Sequence, residues 1–291
     1  MSALRFAVIG DPIGHSKSPR MHAAGFAALG MPHRYEARRV EAKDLPAAME
    51  QLRRGLFDGY NVTIPHKQSV LALVDEVDEG AAMVGAANTI TRNSRGRLKA
   101  YNTDVAAVTE ELRNLAPEAS FASGVAIILG SGGAARSAVV ALARDLSTER
   151  IEIRGRAFEN DPGAGQRLSA DLGERLGKFG LRAEIVCRPL STSDSDTRAT
   201  CIIQATSAGM HGADDGRKIA AAVAWNDVPV SAVAFDVVYN PPQTPFLTAA
   251  EEAGIRASNG LGMLARQGAL AFELWLGRSA PYNAMLSALI D

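Results

Sequence analysis

The stretch Val125-Ala126-Ile127-Ile128-Leu129-Gly130-Ser131-Gly132-Gly133-Ala134-Ala135-Arg136 decides how the rest of the chain is read. Five apolar residues running into a glycine predict a buried parallel strand, and Ala134 to Leu146 (AARSAVVALARDL) predicts the helix after it. Each small residue of the turn has a physical task. Gly130 permits the tight reversal, Gly132 lets a pyrophosphate approach the backbone, and Ala135 fills the narrow place where helix meets strand. With Ser131, Gly133 and Ala134 they form G-x-G-x-x-A, and the flanking strand and helix distinguish this loop from a chance run of glycines. A bound dinucleotide is the expectation.

The next strand bears on which dinucleotide. Arg150-Ile151-Glu152-Ile153 alternates as a strand should and ends at Arg154-Gly155-Arg156, about where a ribose 2′-OH would lie. A site for NAD usually places a carboxylate at that strand end, and none stands there, because Glu152 falls inside the strand. The guanidiniums of Arg154 and Arg156 suit a 2′-phosphate, so NADP is expected over NAD; the competing reading is that they only solvate a loop.

Composition sets outer bounds. A chain of 291 residues can bury a substantial core and has room for two domains. With 31 Lys plus Arg against 32 Asp plus Glu, the net charge is −1. No basic run follows a polynucleotide backbone, which argues against a nucleic-acid partner. Cys187 and Cys201 have neither CxxC spacing nor the density of a disulfide scaffold, as expected of core thiols in a reducing cytoplasm. The N-terminus carries only the short apolar run 6–9 before Gly10-Asp11-Pro12, so neither a signal peptide nor a membrane span is expected.

Upstream, a βαβ rhythm leaves polar clusters at strand ends. Arg5 to Gly10 predicts the first strand and 11–18 its loop, followed by a helix with Met21, Gly25, Phe26 and Leu29 on one face. Ser18 before Pro19 suits an N-cap, whereas Ser16 has no such explanation, and two hydroxyls at a helix start suit a substrate carboxylate. Asp44 is expected to cap a helix through Leu45, Met49, Leu52 and Leu56, and Phe57 to Ile64 to form the next strand. Pro65-His66-Lys67 then opens a helix expected to continue through Leu71, Val74 and Val77. A lysine in a first turn opposes the macrodipole, so Lys67 invites a functional explanation. Residues 85–90 are expected to open a strand paired with Arg97 to Tyr101, and Asn102-Thr103-Asp104 follows, where N-capping alone accounts for Asp104.

Downstream, residues 161–165 are expected to turn, and Leu168, Leu172 and Leu176 mark a helix. A polar loop is expected over 191–197. Two buried strands, Cys201 to Ala205 and Ala232 to Val238, lead to Thr206-Ser207-Ala208-Gly209-Met210 and Tyr239-Asn240-Pro241-Pro242. Gly260 to Gln267 opens a largely apolar helix. There Gln267 is either a satisfied core glutamine or a ligand-facing one. In open α/β sheets, ligands bind at the carboxyl ends of strands, where these clusters lie.

A nicotinamide enzyme must hold a carbonyl beside the hydride and supply a proton to the developing alkoxide. No Tyr precedes a Lys by four residues. The five histidines and two cysteines give no zinc spacing, so no metal is expected. Lys67 and Asp104 remain, the ammonium to donate to the carbonyl oxygen and the carboxylate to orient it.

GDPIGHSKSP (10–19), NVTIPHK (61–67), GAANTI (85–90), NTD (102–104), GSGGAA (130–135), ATSAGM (205–210), DVVY (236–239), TPFL (244–247) and GLGMLARQ (260–267) occur in this order over nearly the whole chain. In these motifs the chain resembles the shikimate dehydrogenase family (shikimate/quinate dehydrogenases). The resemblance implies an α/β fold: an N-terminal α/β substrate domain over 1–103, completed by C-terminal helices over 260–291 that return to it, and a Rossmann-type dinucleotide-binding domain over 104–259. It implies NADP-dependent, reversible reduction of 3-dehydroshikimate to shikimate in aromatic amino acid and chorismate biosynthesis, by a cytoplasmic monomer or homodimer. Lys67 and Asp104 would be the catalytic pair. Ser16 and Ser18 would hold the substrate carboxylate, with Thr63, Asn88, Asp104, Tyr239 and Gln267 around the ring and its hydroxyls. Gly130, Ser131, Gly132, Gly133 and Ala134 would bind the pyrophosphate, and 155–160 would form the adenosine-side loop, with Arg154, Gly155, Arg156 and Ala157 at the phosphate. Val237 and Gly260 would lie near the nicotinamide, and Glu79 matches a cofactor-side position.

The chain departs from the family pattern at three places. Gly155-Arg156-Ala157 replaces the usual Asn-Arg-Thr, Gln204 stands where Asn is common, and Val105 where Gly is common. These leave open a paralogue acting on quinate or an amino-substituted shikimate with NAD or NADP, and a non-catalytic NADP-binding regulator.

Overall fold

The computed structural model describes residues 3–192 and 196–290, so residues 193–195 of the polar loop expected over 191–197 lie outside the described residues. The chain divides into two compact units, residues 1–104 with 264–291, and residues 105–263. The division falls one residue after the expected boundary at Asp104 and four residues after the one at Gly260.

The first unit is built on a six-stranded mixed sheet. Its elements are β1 (Arg5–Gly10), α1 (Ser18–Ala28), β2 (Arg34–Arg39), α2 (Leu45–Arg53), β3 (Gly59–Val62), β4 (Glu76–Val77), α3 (Glu79–Val84), β5 (Thr89–Arg92) and β6 (Leu98–Tyr101), in the sheet order β2-β1-β3-β5-β6-β4. Parallel pairing of β1 with β2 and β3 follows from the helical crossovers, and β5 returns antiparallel to both β3 and β6. The core holds Ile9, Leu45, Leu52, Tyr60, Val70, Ile90 and Leu98. Full burial of each large apolar side chain contributes roughly 1.5–3 kcal/mol. Across the sheet, Phe6 stacks on Trp275 at 4.7 Å, and the Trp275 indole N–H donates to the Ile90 carbonyl at 3.0 Å. That contact ties the last long helix to the first unit.

The second unit contains α4 (Asp104–Leu115), α5 (Ala119–Ala122), β7 (Val125–Leu129), α6 (Gly133–Val140), β8 (Arg150–Gly155), α7 (Ala157–Asn160), α8 (Pro162–Lys178), β9 (Glu184–Pro189), β10 (Ala199–Gln204), α9 (Arg217–Ala220), β11 (Val233–Asp236), α10 (Pro245–Glu252) and β12 (Arg256–Ser258). Helices α11 (Leu261–Leu276) and α12 (Tyr282–Ile290) end the chain. The strand order β12-β11-β10-β7-β8-β9, parallel throughout, is the doubly wound arrangement. The order reverses at β7 and β10, so the crevice outside their carboxyl ends is where this topology places a ligand. Four of the five β7 residues are buried, as expected of a central parallel strand covered on both faces.

Several local expectations are corrected. Ser18 does not cap α1: Lys17 holds the N-cap position with no side-chain bond, and the Ser16 hydroxyl accepts from the Ser18 N–H at 3.3 Å. Asp44 gives α2 no side-chain cap either. After Pro65 there is no α-helix, only turns and a 3-10 segment over Ser69–Leu73, and Val77 belongs to β4. Lys67 therefore does not lie in the first turn of an α-helix, and no macrodipole opposes it there. Residues 85–88 precede their strand, because Gly85 ends α3 in the left-handed region at φ 69°. Helix α6 stops at Val140, and Ala141–Asp145 continues as a wider π turn. Strand β8 runs two residues beyond Ile153, which places Arg154 inside the sheet.

Candidate active site

In the first unit, backbone pairing assembles a polar cluster. The register of β5 on β6 sets Thr89 opposite Tyr101, which brings Asn88 beside residues 102–104. The Asn88 carboxamide donates to Asp104 Oδ1 at 2.8 Å and to Thr103 Oγ1 at 2.8 Å, while its oxygen accepts from the Thr103 backbone N–H at 2.8 Å. Gln267 joins from α11: the Thr103 hydroxyl donates to its backbone carbonyl at 3.0 Å, and its side-chain oxygen accepts from Asn88 at 3.3 Å. Asp104 is the first residue of α4, but its carboxylate faces side chains rather than its own helix.

Lys67 completes the cluster. Its Nζ donates to Asp104 Oδ2 at 2.6 Å, with the lysine side chain 17% exposed and the aspartate 4%. The lysine backbone is fixed on both sides. Its carbonyl accepts from the Ala87 N–H at 2.7 Å, and the neighbouring His66 is buried with Nε2 2.7 Å from the Val40 carbonyl. An ion pair at this depth persists because further hydrogen bonds satisfy the carboxylate, here from Asn88. One N–H of Lys67 is used by Asp104, and the ammonium has others to give.

Of the other expected substrate residues, Ser16 is half-buried and Ser18 buried at the start of α1. Thr63 follows β3, where a side chain on Gly10 would meet its methyl carbon and the Ile64 carbonyl at 2.8 Å, so only glycine fits between β1 and that loop. Tyr239 belongs to the second unit. Glu79 is exposed on α3, behind the Asp78 cap.

The second unit presents the dinucleotide turn. Gly130 sits at φ 117°, and a Cβ there would lie 2.8 Å from Thr206 Cγ2 and 3.0 Å from the Ala205 carbonyl, so the ends of β7 and β10 can meet only through glycine. Gly132 occupies the N-cap of α6 without a side-chain bond, and among the described residues no atom beyond its chain neighbours lies within 4 Å of where its Cβ would be. Open space in front of uncapped N–H groups suits a pyrophosphate, so the residues fit the cofactor that the loop implies. Gln204 staples the facing loop, donating to the Ala208 carbonyl at 2.9 Å and accepting from the Thr206 N–H at 2.5 Å. A side chain at Gly260 would collide with the Val237 backbone, which packs the entry to α11 against the end of β11.

The adenosine-side expectation needs one correction. Arg154 does not face a phosphate: it is 2% exposed, paired with Glu152 at 2.7 Å and Asp196 at 2.5 Å, and donates to the Ala222 carbonyl at 2.8 Å. Burial pulls its pKa down, but the two carboxylates outweigh this and raise it. Its backbone carbonyl still serves the turn by accepting from the Gly130 N–H at 2.8 Å. Arg156 is 60% exposed and lies 3.6 Å from Asp214, which leaves it the one of the two able to meet a 2′-phosphate.

Groups that sequence reasoning passed over include Thr103, Thr89, Asn61, Asp196 and the Asp236–Thr244 pair. The antiparallel register of residues 89–92 on 98–101 was the signal for Thr103, since it sets Asn88 across from Asn102. Asp236 accepts from the Thr244 hydroxyl at 2.6 Å and the Val238 N–H at 2.9 Å, and burial pushes its carboxyl up to about 6 against those two bonds. Among the described residues, no group of three or more His, Cys, Asp or Glu is placed to hold a metal ion, and no helix is long and apolar enough to cross a membrane.

Two family models match the chain. One, described as the shikimate dehydrogenase substrate binding domain, matches residues 8–90, and another, the shikimate 5'-dehydrogenase C-terminal domain, matches residues 260–290. A shikimate dehydrogenase (NADP(+)) of Lysinibacillus sphaericus is 37% identical over 98% of this chain and 96% of its own length. A crystal structure of a shikimate dehydrogenase in complex with NADP+ superposes with a TM-score of 0.84 at 31% identity, covering 99% of this chain and 95% of that one. The shikimate 5-dehydrogenase of Thermus thermophilus, in complex with NADP(H) and shikimate, superposes with a TM-score of 0.79 at 35% identity, covering 99% of this chain and 98% of that one.

Proposed function

The chain belongs to the shikimate dehydrogenase family, and on that premise we propose that it is an NADP-dependent oxidoreductase interconverting shikimate and 3-dehydroshikimate, a step of chorismate and aromatic amino acid biosynthesis. The observation that carries the reading is the 2.6 Å contact between Lys67 Nζ and Asp104 Oδ2 in a largely buried polar cluster. When bound, the nicotinamide supplies or accepts the hydride. Lys67 directs an N–H at the carbonyl oxygen that becomes the alkoxide, and donates the proton as charge develops there. Asp104 holds the ammonium in place and takes part in binding a ring hydroxyl. Asn88 and Gln267, with Thr63, supply the remaining polar contacts to the ring, and the hydroxyls of Ser16 and Ser18 hold its carboxylate.

On the cofactor side, the N–H groups of 130–134 bind the pyrophosphate and Arg156 pairs with the 2′-phosphate, within a loop of Gly155 and Ala157. Val237 and Gly260 line the nicotinamide end. Both cysteines are free thiols, and burial pushes Cys187 up to about 11 and Cys201 to about 12, so neither is a reactive thiolate. Two unpaired thiols suit a reducing cytoplasm, and a monomer or homodimer is the assembly the family resemblance implies. The test is a steady-state assay of NADPH formation with shikimate, repeated with quinate and with NAD. Efficient turnover of shikimate with NADP is expected, and a preference for quinate or for NAD would overturn the assignment.

A further inference from the structure

We infer that the Thr89 hydroxyl, backed by the Asn61 carboxamide, is a positioning group for the reaction: it helps to hold the Asn88 carboxamide that meets Asp104. The inference rests on the proposed role of Lys67 and Asp104.

The hydrogen-bond polarity is set at two backbone groups whose roles cannot reverse. The Thr103 N–H can only donate, and it lies 2.8 Å from Asn88 Oδ1, so the Asn88 amide nitrogen must be the atom 2.8 Å from Asp104 Oδ1. The Asn88 carbonyl can only accept, and it lies 3.1 Å from Asn61 Nδ2, which fixes Asn61 as well. That same nitrogen donates to Thr89 Oγ1 at 3.0 Å. Having accepted there, the Thr89 hydroxyl keeps its single proton for Asn88 Oδ1, at 3.2 Å. Behind Asn61, the Tyr35 hydroxyl donates to its Oδ1 at 2.7 Å, and burial raises that phenol well above its usual range, so the donor is permanent.

The series Tyr35, Asn61, Thr89, Asn88, Asp104 therefore runs donor to acceptor in one direction and ends on the carboxylate that holds Lys67. Thr89 is wholly buried and pairs with Asn61 across β3 and β5. Burial in a strand asks only for a β-branched side chain, which valine supplies. The hydroxyl is the part that strand packing does not require, and it is used both as donor and as acceptor. Without it, Asn61 loses an acceptor and Asn88 Oδ1 a donor, and the carboxamide that meets Asp104 is less firmly held.

The experiment compares Thr89→Val, which keeps the shape and removes the hydroxyl, with Thr89→Ser, which keeps the hydroxyl. Thr89→Cys differs from the serine variant by one atom and serves as a second pair should the valine variant fail to fold. Two measurements are made on the full chain: kcat and KM for shikimate and NADP, and hydrogen exchange of the Asn88 side-chain amide by NMR. Expected are a kcat about tenfold lower in Thr89→Val, an unchanged KM for NADP, faster exchange at Asn88, and recovery of kcat and exchange in Thr89→Ser. Thr89→Cys should fall several-fold below Thr89→Ser. Wild-type kcat and exchange in Thr89→Val would overturn the inference, and so would equal loss in the serine and valine variants, which would assign the effect to packing of the side chain as a whole and not to its hydroxyl. If the wild type shows no shikimate turnover, the proposed function fails, while the exchange comparison still judges the positioning role.

Discussion

Two arginines two positions apart do different work. Arg154 is enclosed by Glu152 and Asp196, whereas Arg156 lies in solvent with Asp214 at 3.6 Å. Arg156→Ala should weaken NADP by about ten- to a hundredfold and leave NAD nearly unaffected, as read from KM values with both cofactors. Arg154→Met leaves the buried Asp196 without its cation and Glu152 with Arg188 alone, and should cost roughly 3–5 kcal/mol of stability, with no change in the NADP to NAD ratio of the protein that folds. Denaturant unfolding beside the same kinetics checks this. The sequence pointed to both residues alike, because their place after Ile153 suggests a strand end. What it could not display is that β8 continues to Gly155 between two neighbours, or that Asp196, far along the chain, supplies the partner. Lys67 stands out in the sequence through a helix-dipole argument whose helix does not exist, and the pairing with Asp104 supports it on other grounds.

At the scale of elements, the turn after β7 was legible because its constraint is local: only glycine tolerates φ 117° with Thr206 and the Ala205 carbonyl so close. Gly130→Ala should therefore abolish tight binding of NADP and NAD alike, measured by fluorescence titration, and lower the melting temperature. The strands β2, β9 and β12 escaped prediction. Arg34–Arg39 carries too many polar residues for an apolar run, Glu184–Pro189 has an apolar run of only three residues between charged ones, and Arg256–Ser258 is only three residues long; pairing with a neighbouring strand makes each of them. The start of α1 is a related case. Since Ser18 does not cap that helix, Ser16→Ala and Ser18→Ala should show their main effect as a raised KM for shikimate, each by roughly 1–3 kcal/mol, which steady-state kinetics will measure. Asp236 at the end of β11 carries a pH dependence, because its burial outweighs the bond it accepts from Thr244 at the start of α10. The Asp236 pKa of about 6 in the folded chain lies above the unfolded value, so the folded state binds the proton more tightly. Its contribution to stability is then greatest below about pH 4 and falls as pH rises toward 6, by roughly 2–3 kcal/mol. Asp236→Asn should remove that slope in unfolding experiments run between these limits.

For the whole molecule, the order of motifs along the chain determined more than any one of them. A substrate unit interrupted by a parallel dinucleotide-binding unit and completed by returning helices is set by the connections between strands, and the observed division at Asp104 and Met263 follows those connections. The returning segment was legible because Gln267, a polar residue in an apolar stretch, signals a polar neighbour, and its backbone and side chain both join the Asn88 and Thr103 cluster. In the proposed reaction the Lys67–Asp104 pair serves the transition state of shikimate oxidation more than it serves substrate binding. The most direct test is kcat and KM for shikimate in Lys67→Ala beside the wild type, with saturating NADP. The expected outcome is a kcat lower by about a hundredfold or more with KM nearly unchanged. Retention of most of kcat, or a loss confined to KM, would contradict it.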